Sequence, residues 1–272
     1  MVKIKLLKNI IIILFLLNFF ISSAQESTAS ANVSSFSIES KQLNSMKKIW
    51  VYLPQNYSIS SKKYPVIYMH DGQNLFDNKT SYTGEWNVDE TLDSIKAQVI
   101  IIGVEHGGEK RIDELTPFKH PKYSGGNATA YLDFIVNTLK PEIDKKYRTK
   151  TNAKNTGIFG SSLGGLVSFY AALIYPNIFG KVGCFSPSFW FCRDELKSLM
   201  DNTADFDAKI YFLCGDNEGD DEVVRDMENV EKWVNTKRCE CKKMNKKVIV
   251  KGGQHNEKLW RENFKKAYLW LF

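Results

Sequence analysis

The sequence predicts an α/β protein with a mainly parallel sheet, helices on both faces and an antiparallel hairpin at the N-terminal end. Along most of the chain, short apolar runs bounded by turn residues alternate with helical patterns, which is typical of parallel sheets. Before them, residues 32–53 alternate between apolar and polar, which indicates an antiparallel strand pair. The 272 residues, 43% of them hydrophobic, are enough for a sizeable core.

The predicted elements follow one another in a regular order. Short apolar runs typical of strands buried on both faces occupy residues 66–69, 99–102, 156–159, 182–185, 210–213 and 248–250. Helical periodicity predicts helices over residues 131–147, 163–173, 222–235 and 257–271, the first interrupted by Pro141. Residues 27–35, rich in serine and alanine, are expected to form a flexible leader.

The first 24 residues have the three-part pattern of a secretory signal. Three lysines precede an apolar run, and small residues follow at Ser22 and Ala24, the two positions that a signal peptidase reads. The run is shorter than the roughly 20 residues that span a bilayer, although an uncleaved anchor is the alternative. We expect cleavage after Ala24, a single domain over residues 25–272, and a secreted or periplasmic location.

Charge and cysteine content argue against a nucleic-acid-binding protein and against a metal site built from cysteines. Removal of the three lysines in residues 1–24 lowers the formal net charge from +6 to +3, too balanced for a nucleic-acid-binding surface. Cys184 and Cys214 lie in predicted strands, where we expect buried free thiols. Cys192, Cys239 and Cys241 leave room for one disulfide, and their spacing does not match a metal site.

The most informative local pattern is Gly-Ser-Ser-Leu-Gly at residues 160–164. It follows one predicted strand directly and opens the next helix, the context of a nucleophile elbow. Ser162 is then the candidate nucleophile at the apex of a sharp turn, and the helix N-terminus offers N–H groups to a developing oxyanion. The alternatives are a chance pentapeptide and a phosphate-binding turn, but the Gly-Lys-Ser/Thr of a Walker loop is missing.

A serine nucleophile needs a histidine base and an acid. In α/β-hydrolases these follow the nucleophile in the order acid, then histidine. His70, His106 and His120 precede Ser162, whereas His255 follows the last predicted strand and is the candidate base. The acid is expected past the strand at 210–213, where residues 215–221 carry four carboxylates.

Six stretches together resemble the putative-esterase family of α/β-hydrolases. They occupy residues 68–77, 84–90, 131–134, 160–165, 186–190 and 253–256, spread over about residues 35–272. The family includes esterase D, feruloyl and acetyl-xylan esterases, ferric-enterobactin esterases and mycolyltransferases, and the likeness is strongest to the branch with siderophore trilactone esterases. The resemblance implies the α/β-hydrolase fold and a serine ester hydrolase without metal or organic cofactor.

The resemblance also narrows the choice of acid. Members of the family commonly carry it third after the glycine that ends the strand, and Glu218 occupies that position. Asp216 directly follows the glycine and suits a turn cap. Asp220 and Asp221 precede a predicted helix and suit N-capping. The predicted triad is therefore Ser162, Glu218 and His255.

Backbone and substrate contacts are predicted from the loops after neighbouring strands. The N–H groups of Leu163 and Gln73 are the candidate oxyanion donors, the latter in agreement with the family. Trp190 and Phe189 follow the strand after the elbow and are candidates for a stacking wall, although they could equally pack under the loop. Arg111 is a further candidate for substrate contact, with a solvated ion pair as the plainer alternative.

These observations predict an exported serine carboxylic-ester hydrolase that acts through an acyl-enzyme on acyl or feruloyl-type esters of carbohydrates. The alternatives are a periplasmic siderophore trilactone esterase, an acyltransferase and a non-catalytic binding module. The expected partner is a small-molecule or carbohydrate ester and not a nucleic acid. The sequence leaves the acyl group, the alcohol and the oligomeric state open.

Overall fold

The computed structural model describes residues 26–203, 206–219, 221–237 and 244–272. The predicted signal segment with its cleavage point at Ala24 lies outside the described residues, as do Asp220, Cys239 and Cys241. None of the helices in these ranges combines the length and the apolarity that crossing a bilayer requires.

In the described ranges the sheet has eight strands, and all the predicted strands are among them. They are β1 Val33–Ser40, β2 Ser45–Tyr52, β3 Val66–His70, β4 Ile100–Val104, β5 Thr156–Ser161, β6 Lys181–Phe185, β7 Lys209–Gly215 and β8 Asn245–Val250. Their spatial order is β1-β2-β4-β3-β5-β6-β7-β8. β2 is antiparallel to both of its neighbours, and the strands from β4 to β8 are parallel. The predicted α/β-hydrolase architecture is confirmed.

The helices cover both faces of the sheet. They are α1 Val88–Ser94, α2 Arg111–Leu115, α3 Ala128–Phe134, α4 Lys140–Lys146, α5 Leu163–Ile174, α6 Arg193–Asp201, α7 Glu222–Thr236 and α8 Glu257–Leu271. The helix predicted over 131–147 is divided, because a π-helical turn, Ile135–Leu139, joins α3 to α4. Pro141 lies in the first turn of α4, where a missing N–H group is tolerated.

The sheet separates two apolar cores. β3, β4 and β5 are buried along their whole length, as their continuous apolar runs predict. One core lies against α5, which is buried over nearly all its residues, with α3, α4 and α7 beside it. The other lies against α1 and α8. Because α5 is buried in this way, the turn that connects it to β5 is held firmly in place.

The expectation of a flexible leader over residues 27–35 is wrong. β1 already begins at Val33, and the residues before it are hydrogen-bonded to side chains of the folded domain. The Thr28 hydroxyl donates to Glu85, and the backbone N–H of Ser30 donates to Asp89. Composition alone could not show this, because the carboxylates that accept these bonds lie about sixty residues further along the chain.

The cysteines in the described ranges are buried free thiols. This confirms the prediction for Cys184 and Cys214, and Cys192 belongs with them rather than in a disulfide. Burial raises the pKa of the Cys192 thiol to about 12, so it is protonated and unreactive at neutral pH.

Candidate active site

A cleft of about 640 Å³ opens at the carboxyl ends of the parallel strands. Ligands bind at this edge in open α/β sheets. Its lining residues come from loops that are distant in sequence: Asp71, Asn74, Tyr82, Thr83, His106, Arg111, Ser161, Ser162, His255, Asn256, Glu257 and Trp260. The structure therefore brings the predicted nucleophile and the predicted base to one cavity.

Ser162 occupies the apex of the turn between β5 and α5. Its backbone has φ 57° and ψ −123°, a strained conformation for a residue with a side chain. Backbone hydrogen bonds hold it in place: its N–H donates to the carbonyl of Phe185 at 2.9 Å, and its own carbonyl accepts from several N–H groups, among them that of Gly165 at 3.0 Å. The strained geometry predicted for the elbow is present.

The glycines on either side of Ser162 differ in how strictly they are required. A methyl group at Gly160 would lie 2.7 Å from the carbonyl carbon of Gly164 and 2.8 Å from the His70 ring. Both distances are shorter than any side chain tolerates. At Gly164 the nearest atom would be 3.3 Å away, a contact that small shifts could relieve. The turn therefore depends chiefly on Gly160.

The hydroxyl of Ser162 has a partner that the sequence did not suggest. Its Oγ lies 3.1 Å from the Oγ of Ser188, whose backbone N–H donates to the Ser162 carbonyl at 3.1 Å. In this structure the Ser162 hydroxyl is bonded to Ser188 and not to His255, although Ser162 and His255 both line the cleft. Hydrogen bonds between nucleophile and base are often long in free enzymes and shorten when substrate binds.

The predicted acid and base are in direct contact. His255 Nδ1 lies 2.8 Å from Glu218 Oε2, and the Glu218 side chain is completely buried. The other carboxylate oxygen, Oε1, accepts from the Ser186 hydroxyl and from the backbone N–H of Gly215, each at 2.6 Å. Ser186 in turn accepts from the indole of Trp260 at 2.9 Å. The carboxylate is therefore fixed on both oxygens, and one of them orients the imidazole.

The loop that carries Glu218 is positioned by close backbone packing after β7 and β8. A methyl group at Gly215 would lie 2.0 Å from the carbonyl oxygen of Gly253. Asp216 accepts from the N–H of Gly252 at 2.6 Å and is exposed, which agrees with a turn-capping role. Asp221 stands at the N-cap position of α7, but its side chain makes no capping hydrogen bond.

The two predicted oxyanion donors belong to loops after adjacent strands. Leu163 is the first residue of α5, so its N–H has no acceptor within the helix. Gln73 lies in a 3-10 turn directly after β3, which neighbours β5 in the sheet. A methyl group at Gly72 would lie 2.7 Å from the carbonyl carbon of Gly103, so a glycine is needed for this turn to pack.

Arg111 lines the cleft, but its guanidinium is engaged by Asp71. The two groups form a bidentate pair with N–O distances of 2.7 and 2.8 Å. Burial opposes ionisation of Asp71, yet the charge and hydrogen bonds of Arg111 hold its pKa below the ordinary value. Beside it, burial lowers the pKa of His70 to about 4, and Nδ1 of this neutral ring is 2.8 Å from the Tyr131 hydroxyl. These groups brace the wall of the cleft.

The aromatic residues predicted to form a stacking wall do not line the cleft. Phe189 is 1% exposed and packs against Phe169 and Phe212, so its proposed contact with substrate is corrected to a core position. Trp190 is half-buried in an aromatic cluster whose other members are His120, Tyr123 and Phe191. Both residues lie in the 3-10 turn Phe189–Cys192, and their rings pack against other aromatic side chains.

The rim of the cleft contains residues that sequence reasoning missed. Tyr82 is 89% exposed there, and the neighbouring Thr83 hydroxyl donates to Glu257 at the start of α8. In the sequence, the available signal for Tyr82 was an aromatic residue among small and polar neighbours. Glu257 could not be recognised in this way, because its position depends on the contact between α8 and a distant loop.

The comparisons with known proteins identify the family. The family model described as "Putative esterase" matches residues 40–271 of the chain. The chain belongs to the putative esterase family. It is 29% identical over 246 residues to the uncharacterized protein YbbA of Bacillus subtilis, covering 83% of this chain and 92% of that one. It is 27% identical over 207 residues to an endo-1,4-beta-xylanase/feruloyl esterase of Xylanibacter ruminicola, covering 72% of this chain and 26% of the relative.

A solved structure shares the fold. The enterobactin esterase FES of Shigella flexneri superposes with a TM-score of 0.71 at 16% identity, over 89% of this chain and 59% of that one. The resemblance predicted from sequence is therefore confirmed. The enzyme class is carboxylic ester hydrolase, and a serine mechanism is typical of the family.

Proposed function

We propose that this chain is an exported serine ester hydrolase in which Ser162 is the nucleophile, His255 the base and Glu218 the acid. One observation carries the proposal. The completely buried Glu218 carboxylate holds Nδ1 of His255 at 2.8 Å in the same cleft into which the strained Ser162 turn opens. Nucleophile, base and orienting acid are the three parts that acyl transfer by a serine requires.

The mechanism follows from the orientation of the imidazole. Because Glu218 accepts the hydrogen on Nδ1, Nε2 of His255 is left as an acceptor for the Ser162 proton. Ser162 Oγ attacks the ester carbonyl, and the N–H groups of Leu163 and Gln73 stabilise the oxyanion. His255 then protonates the departing alcohol. Water, activated by the same imidazole, attacks the acyl-enzyme and releases the acid.

The cleft favours a neutral ester over a strongly anionic one. Among the described residues that line it, Arg111 is the only lysine or arginine, and Asp71 already neutralises it. Glu257 adds a carboxylate to the same wall. A ferric siderophore with catecholate groups carries several negative charges and needs unpaired cations for binding. We therefore favour acyl or feruloyl-type esters of carbohydrates, with the exposed Tyr82 at the rim available for stacking on a sugar or an aromatic acid.

Export is the remaining part of the proposal. It rests on the lysine-flanked apolar run and the small residues at Ser22 and Ala24. The mature chain would begin at Gln25. Expression of the full chain in a bacterium and mass measurement of the exported protein test this directly. A protein that retains Met1 would contradict the proposal.

The catalytic proposal is tested by a substrate panel. The protein from Gln25 onward is incubated with acetylated sugars, feruloylated sugars and a siderophore trilactone, and the acid released is followed. We expect release from the sugar esters, and its loss in His255→Ala as completely as in Ser162→Ala, because triad members act as a unit.

Other outcomes on the same panel distinguish the alternatives. Preferential opening of the trilactone would replace the carbohydrate assignment with the siderophore one. Transfer of the acyl group to added sugar in preference to water would indicate an acyltransferase. Binding without turnover by the unsubstituted protein would indicate a non-catalytic module. The variant Ser161→Ala, which removes the adjacent hydroxyl, serves as the matched control and should keep substantial activity.

A further inference from the structure

Three carboxylates cluster near the N-terminal segment, apart from the proposed triad. They belong to Glu85, Asp89 and Glu90, at the start of α1 and just before it, and one oxygen of each lies within 4.8 Å of the other two. Glu85 is 5% exposed and Asp89 is completely buried. Acidic side chains are rarely buried to this degree unless they are paired with a cation. Arg261 lies nearby, but it donates to the backbone carbonyl of Glu85.

The two oxygens of each carboxylate differ in their hydrogen bonding, and the pattern is the same in all three residues. One oxygen accepts a single bond; the donors are the Thr28 hydroxyl, the Ser30 backbone N–H and the Asn87 side chain. The second oxygen of each carboxylate is buried and has no hydrogen-bond partner in the described structure: Glu85 Oε1, Asp89 Oδ1 and Glu90 Oε2. Each residue therefore contributes one buried carboxylate oxygen without a hydrogen-bond partner, and the three carboxylates lie close enough together to share one ligand.

The ordinary explanations do not account for this arrangement. The first turn of a helix favours acidic residues, which explains why Asp89 and Glu90 stand there. It does not explain why the three carboxylates lie so close together under burial, where like charges repel. Either a proton or a cation must relieve the repulsion.

We propose that Glu85, Asp89 and Glu90 form a binding site for a Ca²⁺ ion. Oxygen-only ligands suit hard divalent cations, and Ca²⁺ binds them at about 2.3–2.6 Å. The three oxygens lie within 4.8 Å of one another, which is inside the span of about 4.8 Å between opposite ligands of one Ca²⁺ ion, and Mg²⁺ is less favoured because it gives up its water ligands reluctantly and demands near-ideal octahedral geometry. Water completes the coordination shell.

The ion would have a structural role. Thr28 and Ser30 are bonded to two of its ligands, so the ion would fix the N-terminal segment to the domain. The indole of Trp86, one residue after Glu85, lies 5.7 Å from that of Trp260, which holds Ser186 behind the proposed acid. Binding therefore stabilises the wall behind the cleft without contributing a group to the reaction.

The test uses the mature protein after treatment with a chelator. Calorimetric titration with CaCl₂ should show one site, and Ca²⁺ at about a hundred times its Kd should raise Tm by roughly 5 °C or more. MgCl₂ should bind more weakly. Glu90→Gln should abolish both responses, and without Ca²⁺ its Tm should equal or exceed that of the unsubstituted protein because a repulsive charge has been removed. Glu142→Gln, an exposed substitution on α4, is the matched control and should respond normally.

Two results would overturn the proposal. One is the absence of binding heat and of any change in Tm up to about 10 mM CaCl₂, above the range in which extracellular sites bind. The other is a Tm that falls as pH rises through about 7 and is unaffected by Ca²⁺. Because a raised carboxyl pKa makes the folded state lose stability as the group ionises, that result would assign the site to a shared proton. Circular dichroism of Glu90→Gln confirms that the variant is folded.

Discussion

Replacement of Glu218 by glutamine tests the proposed acid with the least change in shape. In the structure Oε1 of Glu218 accepts from the Ser186 hydroxyl and from the backbone N–H of Gly215. The backbone group can only donate, so the amide oxygen of the glutamine must take the Oε1 position. The amide NH₂ then faces Nδ1 of His255, where the carboxylate Oε2 accepts a hydrogen bond in the native protein.

This reversal selects the wrong tautomer of the base. Nδ1 of His255 must accept from the new amide, so the ring hydrogen moves to Nε2, which can no longer take the proton of Ser162. The histidine also loses the negative charge that stabilises its protonated form. We expect turnover to fall by about 10⁴-fold, equivalent to about 5 kcal/mol in the transition state. The free energy of unfolding should change by less than about 1 kcal/mol, because both hydrogen bonds to Oε1 are kept.

The assay is initial-rate hydrolysis of a p-nitrophenyl ester, with thermal unfolding followed by circular dichroism. Asp216→Asn is the matched control, since it neutralises a carboxylate of the same loop whose hydrogen bond, within the described part of the chain, is to Gly252. Asp220→Asn and Asp221→Asn complete the series, and all three should stay within about tenfold of the native rate. Near-normal turnover in Glu218→Gln, together with a collapse in one aspartate variant, would refute the reasoning and move the acid to that aspartate.

Three further predictions follow from the same structure. Ser162→Ala should abolish ester hydrolysis while Ser161→Ala keeps substantial activity, as measured by initial rates. The opposite result would show that Ser162 is not the nucleophile. Gly160→Ala should lower the free energy of unfolding by about 1–3 kcal/mol in denaturant titrations and reduce activity, because the added methyl group meets backbone at 2.7 Å; native-like stability would contradict this. Lys47→Met should cost about 3–5 kcal/mol by the same titration, because it leaves the buried Glu114 unpaired, and adding Glu114→Gln should restore most of the loss.

The parts of the fold that the sequence predicts best are those with a strong local signal. The strands β3 to β7 contain short apolar runs, and α7 and α8 have a clear helical period. These elements could therefore be predicted without knowledge of distant contacts. The elbow is also local, because Gly160 and Ser162 are neighbours on one turn. The π-helical turn at Ile135–Leu139 has no such signal and was not predicted.

The contacts within the site were harder to predict, because they join loops that are distant in sequence. Glu218 could be selected only with help from the family, and its position depends on the packing of Gly215 against Gly253. Ser188 gave no local indication that its hydroxyl would meet Ser162. Phe189 was misassigned for the converse reason, since an aromatic residue after a strand packs inward as readily as it faces a ligand.

The central claim, that Ser162 forms the acyl-enzyme, is tested most directly by covalent labelling. The mature protein is treated with a fluorophosphonate, which phosphonylates an activated serine, and is examined by intact mass and peptide mapping. The prediction is a single adduct on Ser162, absent from Ser162→Ala and formed far more slowly in His255→Ala. An adduct on Ser161 or Ser188, or a failure to react while the folded protein still hydrolyses esters, would contradict it.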